Sequence, residues 1–113
     1  MDTKFKKLSP LTESTFYILL SLIEPLHGYG IIKKVDEMSR GRLRLAAGTL
    51  YGALGSLISN NLIVPAGEDR ENPRRKTYQI TDLGKQLLEY ELARLREMID
   101  NGVNEFGGIN DKN

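Results

Sequence analysis

The chain has 113 residues, 40% of them hydrophobic, and a formal net charge of +1. This length fits one small domain with a modest core that self-association would enlarge, and the absence of cysteine excludes disulfides and thiolate metal sites. Because there is no signal-like start and no apolar run of about 18 residues, we expect a cytoplasmic protein with no membrane contact and no metal or cofactor.

Two helices are predicted in the first 41 residues. Thr12 is placed as the N-cap of a helix over residues 13–23, which is apolar nearly all round and which Pro25 ends. A turn at residues 27–30 leads into a second, amphipathic helix that Gly41 closes. His27 is expected to cap this second helix or to pack near a surface that faces a binding partner.

Catalysis is not predicted. His27 is the only histidine, so neither a His/Cys metal site nor a Ser-His-Asp triad has its parts, and no phosphate loop of the GxxxxGK type is present. The carboxylates of Glu68, Asp69 and Glu71 lie on a polar segment with no apolar surroundings to raise a pKa. The sequence therefore favours a binding protein over an enzyme.

Residues 42–45 alternate strictly between arginine and leucine, which predicts a short strand that pairs with a later hairpin. The next segment, residues 47–58, predicts a helix with two contrasting faces. At about 100° per residue, one stripe is apolar and the opposite stripe carries Gly48, Gly52 and Gly55. The members of the apolar stripe are Leu50, Leu54, Leu57 and Ile58.

The glycine stripe makes this an expensive helix, since each interior glycine costs about 1 kcal/mol relative to alanine. A DNA groove edge or a phosphate is a partner that would need to approach such a backbone closely, and Thr49 and Tyr51 offer hydroxyls beside the stripe. Close packing against another protein helix is the alternative explanation of the glycines.

A basic hairpin is predicted directly after this helix. Residues 62–64 and 77–80 are β-prone, and residues 67–73 between them have turn chemistry. Arg70, Arg74, Arg75 and Lys76 cluster on the ribbon, where they would reach phosphates or a minor groove. Because acidic residues stand beside them, a solvated charge run is the alternative.

Thr81 is predicted to cap a final helix whose apolar residues follow the four-three spacing of a coiled-coil seam. This seam predicts self-association, with folding back onto its own domain as the alternative. Residues 1–80 hold 12 Lys/Arg and 8 Asp/Glu, a net +4, whereas residues 81–113 hold 4 and 7, a net −3, so the final helix would face away from DNA. The predicted dimer interface comprises Tyr17, Leu20, Leu88, Leu92, Leu95, Ile99 and Phe106.

The order of elements predicts a mainly α protein with a small β-hairpin, namely a winged helix-turn-helix domain followed by a C-terminal dimerisation helix. The domain spans residues 1–80 and the helix residues 81–106. Glycines at 102, 107 and 108 predict that the helix weakens near residue 102 and that residues 107–113 form a disordered tail. The alternative function is a protein-interaction module that uses the last helix without specific DNA binding.

Six runs, collinear over residues 8–105, closely resemble the PadR family of bacterial transcriptional regulators. They are residues 11–13, 16–20, 27–31, 48–54, 74–78 and 81–84. The resemblance implies a homodimeric repressor on a pseudo-palindromic operator of double-stranded DNA. The glycine-faced helix would lie in the major groove, and the wing, which is the basic hairpin of residues 62–80, would lie on the minor groove or the backbone. The predicted DNA-binding residues are Tyr29, Gly48, Thr49, Tyr51, Gly52, Arg70, Arg74, Arg75 and Lys76.

The single C-terminal helix resembles the subfamily that includes multidrug-sensing repressors, and this leaves open whether an apolar or aromatic small molecule acts as effector. Those relatives stack planar drugs between two tryptophans of the dimer-forming helix. Here Leu95 occupies the matching position and the chain has no tryptophan. The same residues would also form a plain dimer core. The candidate effector pocket is Tyr17, Ser21, Leu88, Leu92, Leu95 and Ile99.

Overall fold

The computed structural model describes residues 2–107, which form five helices and one antiparallel sheet in the strand order β1-β3-β2. This confirms the predicted mainly α fold with a small hairpin. Apart from Gly107, the predicted disordered tail lies outside the described residues. The elements are α1 Asp2–Leu8, α2 Glu13–Ser21, β1 Leu26–His27, α3 Gly28–Met38, α4 Ala47–Ser59, β2 Ile63–Glu68, β3 Lys76–Ile80 and α5 Asp82–Glu105.

Three side chains cap helices as the sequence predicts. Thr12 Oγ1 accepts the Thr15 N–H at 3.1 Å at the start of α2, and Thr81 Oγ1 accepts the Gly84 N–H at 3.0 Å at the start of α5. His27 Nδ1 accepts the Gly30 N–H at 2.8 Å at the start of α3. Each cap satisfies a backbone donor that the first helical turn leaves without an intrahelical partner.

The core lies between α2, α3, α4 and the first half of α5. The predicted apolar stripe of α4 supplies Leu50, Leu54 and Leu57, which are buried, while Ile58 at its end is 37% exposed. The start of α5 lies so close to the wing that a Cβ on Gly84 would be 2.4 Å from the Leu62 carbonyl oxygen. A side chain at this position would separate α5 from β2.

The predicted strand at residues 42–45 is wrong. Those residues form a loop, and the edge of β3 is occupied instead by β1, where Leu26 pairs with Tyr78 and His27 with Thr77. The alternation reflects burial without strand pairing, because Leu45 is buried while Arg42 and Arg44 form ion pairs with Glu13 and Asp36.

Helix α1 was not predicted from the sequence. Its lysines, Lys4, Lys6 and Lys7, are exposed, but Phe5 is only 5% exposed and its ring lies 5.5 Å from that of Tyr90 in α5, centroid to centroid. Helix α5 also differs from the prediction, since it continues without a break through Gly102 to Glu105. No helix within residues 2–107 is long and apolar enough to cross a membrane.

A buried carboxylate links the segment after α1 to α5. Glu91 is 1% exposed, and its oxygens accept hydrogen bonds from the Ser9 hydroxyl, the Leu11 N–H at 2.7 Å and Arg94 Nε at 2.8 Å. Burial alone would raise the pKa of Glu91, but the hydrogen bonds from Arg94, Ser9 and Leu11 outweigh it and lower the pKa to about 2.

Glu91→Gln should therefore destabilise the fold by up to about 3 kcal/mol at neutral pH, the equivalent of a shift from about 4.5 to about 2. Because the folded-state pKa is lowered, this contribution is complete above the unfolded pKa and is lost as pH falls toward about 2. Urea titrations between pH 7 and 2 measure it. The exposed Glu89→Gln is the control, and equal acid sensitivity of parent and Glu91→Gln would contradict the assignment.

Candidate nucleic-acid interface

The glycine face of α4 is open. A Cβ added at Gly48, Gly52 or Gly55 would have no atom within 4 Å, so nothing in the described chain packs on this face. The flanking Thr49 and Tyr51 are exposed as well. The face is therefore accessible along its length to a partner that approaches the helix backbone.

A cleft of about 340 Å³ lies beside this face, between the start of α3, α4 and the wing. It brings together five of the residues predicted to bind DNA, namely Tyr29, Tyr51, Arg74, Arg75 and Lys76. Three cations thus converge on a concave surface that has no carboxylate in its lining, which makes it attractive to anions. The remaining lining residues are His27, Gly28 and Tyr78.

The position of Tyr51 depends on Gly28. A Cβ on Gly28 would clash with the hydroxyl and ring of Tyr51, so a larger residue here would displace the tyrosine side chain. Tyr51 nevertheless remains 54% exposed. The phenol is therefore held against the start of α3 while one side of it faces the cleft. The contact between Tyr51 and Gly28 was not predicted, because the sequence does not show which residues of α3 and α4 meet.

Backbone hydrogen bonds in the wing tip place the basic residues. Asp69 donates to the Arg75 carbonyl at 2.9 Å, and the Arg75 N–H donates to the Asn72 carbonyl at 2.9 Å. Asn72 Oδ1 also accepts the Arg74 N–H at 3.1 Å. These contacts fold residues 69–75 into a turn that delivers Arg74, Arg75 and then Lys76 to the cleft side of the ribbon.

Arg70 is separated from that cluster. It lines a different cleft together with Glu68, Asp69, Glu71 and Thr77, so its surroundings are acidic. The structure thus divides the basic residues of the hairpin into a group of three on the cleft and a single arginine among carboxylates. Sequence proximity alone had grouped all four.

A second cleft, of about 360 Å³, lies between α2 and α5. It contains Tyr17 and Leu95 from the predicted effector pocket but none of the other four residues, which are Ser21, Leu88, Leu92 and Ile99. For Ser21 and Leu88, which are buried, the prediction is corrected. Ser21 is fully buried and its hydroxyl donates to the Ile18 carbonyl at 2.7 Å. Leu88 is 5% exposed in the core. The other lining residues are Leu11, Glu13, Phe16, Glu91 and Arg94.

The predicted dimer residues divide in the same way. Leu88 is buried in its own core and is not available to a partner, while Tyr17, Leu20 and Leu95 are half-buried. Beyond the core, α5 presents an apolar stripe of Leu92 at 50% exposure, Ile99 at 63% and Phe106 at 81%. The four-three spacing groups these residues on one face of α5. Leu88, the first of them, packs in the core of its own subunit, whereas Leu92 and Ile99 are exposed.

The fold and the cationic surface beside α4 define a winged helix-turn-helix protein. The chain belongs to the Transcriptional regulator PadR-like family, whose model matches residues 18–90. This confirms the predicted family, and with it the prediction of a regulator as opposed to an enzyme.

Two solved structures are similar to this chain, the first also in its family and the second in its fold. The crystal structure of a PadR family transcription regulator from hypervirulent Clostridium difficile R20291 is 30% identical, with a TM-score of 0.68 over 86% of this chain and 100% of that chain. Bordetella bronchiseptica BpsR, whose DNA binding is regulated by 6-hydroxynicotinic acid, shares the fold at 22% identity, with a TM-score of 0.67 over 97% of this chain and 74% of that chain.

A curated relative is an uncharacterized 37.1 kDa protein in transposon TN4556 of Streptomyces fradiae. It is 36% identical over 87 residues, which are 74% of this chain and 24% of that protein. The chain thus spans about a quarter of the length of this relative.

Proposed function

We propose that this chain is a homodimeric repressor that binds a pseudo-palindromic operator in double-stranded DNA. The observation that carries the proposal is the juxtaposition of the open glycine face of α4 with a cleft lined by Arg74, Arg75 and Lys76. Helix α4 enters the major groove with its backbone close to the base edges, and the three cations contact phosphates beside it.

The dimer is formed by the exposed stripe of α5. Leu92, Ile99 and Phe106 would leave a row of large apolar side chains in water on a monomer, and a two-fold-related copy of the same stripe covers them. Two reading helices then face two half-sites, which is the arrangement that a pseudo-palindromic operator requires.

The cleft between α2 and α5 is the proposed effector site. Phe16, Tyr17 and Leu95 supply apolar walls, and the Glu91–Arg94 ion pair supplies polar groups at one side. This combination suits an aromatic or apolar molecule with one polar group. The regulation of BpsR by 6-hydroxynicotinic acid is a precedent within the same fold. Binding beside α5 would alter the relation between the two subunits and release the operator.

The test is footprinting on the DNA upstream of the chain's own gene, where a protected inverted repeat is expected, combined with a reporter driven by that promoter. Deletion of the gene should raise reporter expression, and lower expression would make the protein an activator. If neither operator nor random duplex binds at low salt, the chain is a protein-interaction module.

Replacing Arg74, Arg75 and Lys76 together by alanine should weaken binding to operator and random DNA alike, because phosphate contacts carry no sequence information. The dependence of log K on log salt should flatten by about 0.9 per lost contact, or about 5 for the six side chains of a dimer. The matched control replaces Lys4, Lys6 and Lys7, three exposed lysines of α1, none of which lines the cleft. Equal slopes for the wing variant and the parent would contradict the wing assignment.

A further inference from the structure

His27 and Arg75 meet in the cationic cleft in a contact that brings two hydrogen-bond donors together. His27 Nδ1 accepts the N–H of Gly30 at 2.8 Å, and His27 Nε2 lies 2.9 Å from Arg75 Nη1. A guanidinium has five N–H donors and no acceptor. Each ring nitrogen of His27 therefore faces a donor.

An imidazole does not accept hydrogen bonds at both nitrogens. When Nδ1 accepts from the backbone, a neutral ring carries its proton on Nε2, and a protonated ring has no acceptor at all. With the Gly30 cap in place, Nε2–H and the Arg75 N–H are two donors side by side. They lack a common acceptor.

The lining of the cleft offers these two donors no anionic acceptor. The cleft lining contains arginines, a lysine and tyrosines but no carboxylate, and no ion pair of Arg75 occurs within residues 2–107. An oxygen that lies to one side of this contact and faces both Nε2 and Nη1 would receive both hydrogen bonds. Because Arg74 and Lys76 add positive charge at the same place, the fitting acceptor is an anionic oxygen.

We infer that His27 Nε2–H and the Arg75 guanidinium together hold one backbone phosphate of the bound duplex, with the Gly30 N–H fixing the His27 tautomer. This inference rests on the proposed DNA binding and adds a contact from the start of α3, outside both the reading helix and the wing. Because Nδ1 is occupied by the Gly30 N–H, His27 contributes a directed hydrogen bond from Nε2.

The variants His27→Asn and Arg75→Gln test the pair. Asparagine is among the best N-capping residues, so it keeps the bond from Gly30 but has no group at the position of Nε2. We expect the thermal midpoint of His27→Asn to match that of the parent. Its affinity should fall about tenfold per half-site, or about a hundredfold for a dimer, since hydrogen bonds to charged groups contribute about that much.

Salt dependence separates the two roles. Arg75→Gln should flatten the slope of log K against log salt by about 0.9 per subunit, whereas His27→Asn should leave the slope unchanged. Because the acceptor is a phosphate, His27→Asn should weaken operator and random duplex by the same factor. The double variant should lose less than the sum of the single losses, since both residues share one acceptor.

A measurement on the unaltered protein is independent of how the variants fold. Nitrogen-15 NMR should show His27 as the Nε2–H tautomer in the free protein, with the Nε2–H signal shifted and protected from exchange when duplex is added. An Nδ1–H tautomer, or parent-like DNA affinity of a folded His27→Asn, would overturn the inference. A loss confined to the operator would make His27 a base reader and overturn the phosphate contact. If the unaltered protein binds no duplex, the proposed function fails first.

Discussion

The Gly52→Glu variant should fold at least as stably as the parent and lose operator binding. A Cβ at this position meets no atom within 4 Å, and glutamate has the higher helix propensity by several tenths of a kcal/mol or more. In the proposed complex the same side chain places a carboxylate and a three-carbon stem between the α4 backbone and the groove. Operator affinity should fall to the non-specific level of about 10⁻⁴ to 10⁻⁶ M or weaker.

Two further substitutions at the same position separate the causes. Gly52→Ala adds only a methyl group and should stabilise α4 by about 1 kcal/mol with a smaller loss of binding. Gly52→Gln has nearly the size of glutamate without its charge, so the difference between the two measures repulsion by phosphate. Thermal melts and fluorescence anisotropy titrations provide the two readouts. If Gly52→Glu does not fold, Gly52 must pack against another part of the protein. If its operator affinity is unchanged, α4 does not lie in the groove.

Replacing Leu92 and Ile99 together by aspartate should convert the proposed dimer into a folded monomer. Both side chains are at least half exposed in the single subunit, so the substitution leaves the core of the subunit intact. Across a two-fold interface it places four carboxylates where apolar side chains met, a cost of several kcal/mol. Sedimentation velocity should show the monomer, and operator affinity should fall because each half-site supplies only part of the contacts.

The matched control is Ala93→Asp with Asn101→Asp, which adds the same number of carboxylates to exposed positions of α5 away from the stripe. It should remain a dimer and bind operator as the parent does. If the Leu92/Ile99 variant also sediments as a dimer, the interface lies elsewhere on the molecule. A monomer that retains full operator affinity would show that two-fold recognition is not required.

The sequence predicted those parts of the fold that depend on local pattern. The apolar stripe of α4, the cap at Thr81 and the turn chemistry of the wing each act within a few residues, so spacing and residue type were sufficient. The alternation at residues 42–45 was misread because it records which side chains are buried. Whether a segment also pairs with a neighbouring strand depends on the edge that the folded chain leaves free, and here Leu26 and His27 take that edge.

The candidate site shows the same limit. Periodicity placed Leu88 on the right face of α5, but it does not tell whether a leucine packs on its own domain or on another subunit. Proximity in sequence grouped Arg70 with the other basic residues, although the fold of the wing tip separates it from them. Glu91 carried a weak signal, a single acid within an apolar stripe with an arginine three positions later, and the contacts from Ser9 and Leu11 were not visible at all.

In the proposed dimer on DNA, the hydrogen bonds of Thr81 restrict the spacing of the two half-sites. Its hydroxyl donates to the Asn61 carbonyl at 2.7 Å and its N–H donates to the Leu62 carbonyl at 3.0 Å, while the same hydroxyl caps α5. Thr81 thus connects the segment that links α4 to β2 with the first turn of α5. The orientation of α5 in the proposed dimer therefore sets the orientation of α4 and of the β2–β3 hairpin. One inserted base pair turns a half-site by about 35° around the duplex and moves it by about 3.4 Å. Because the Thr81 hydrogen bonds fix the DNA-binding part of each subunit to α5, the proposed dimer would follow such a shift only by losing contacts.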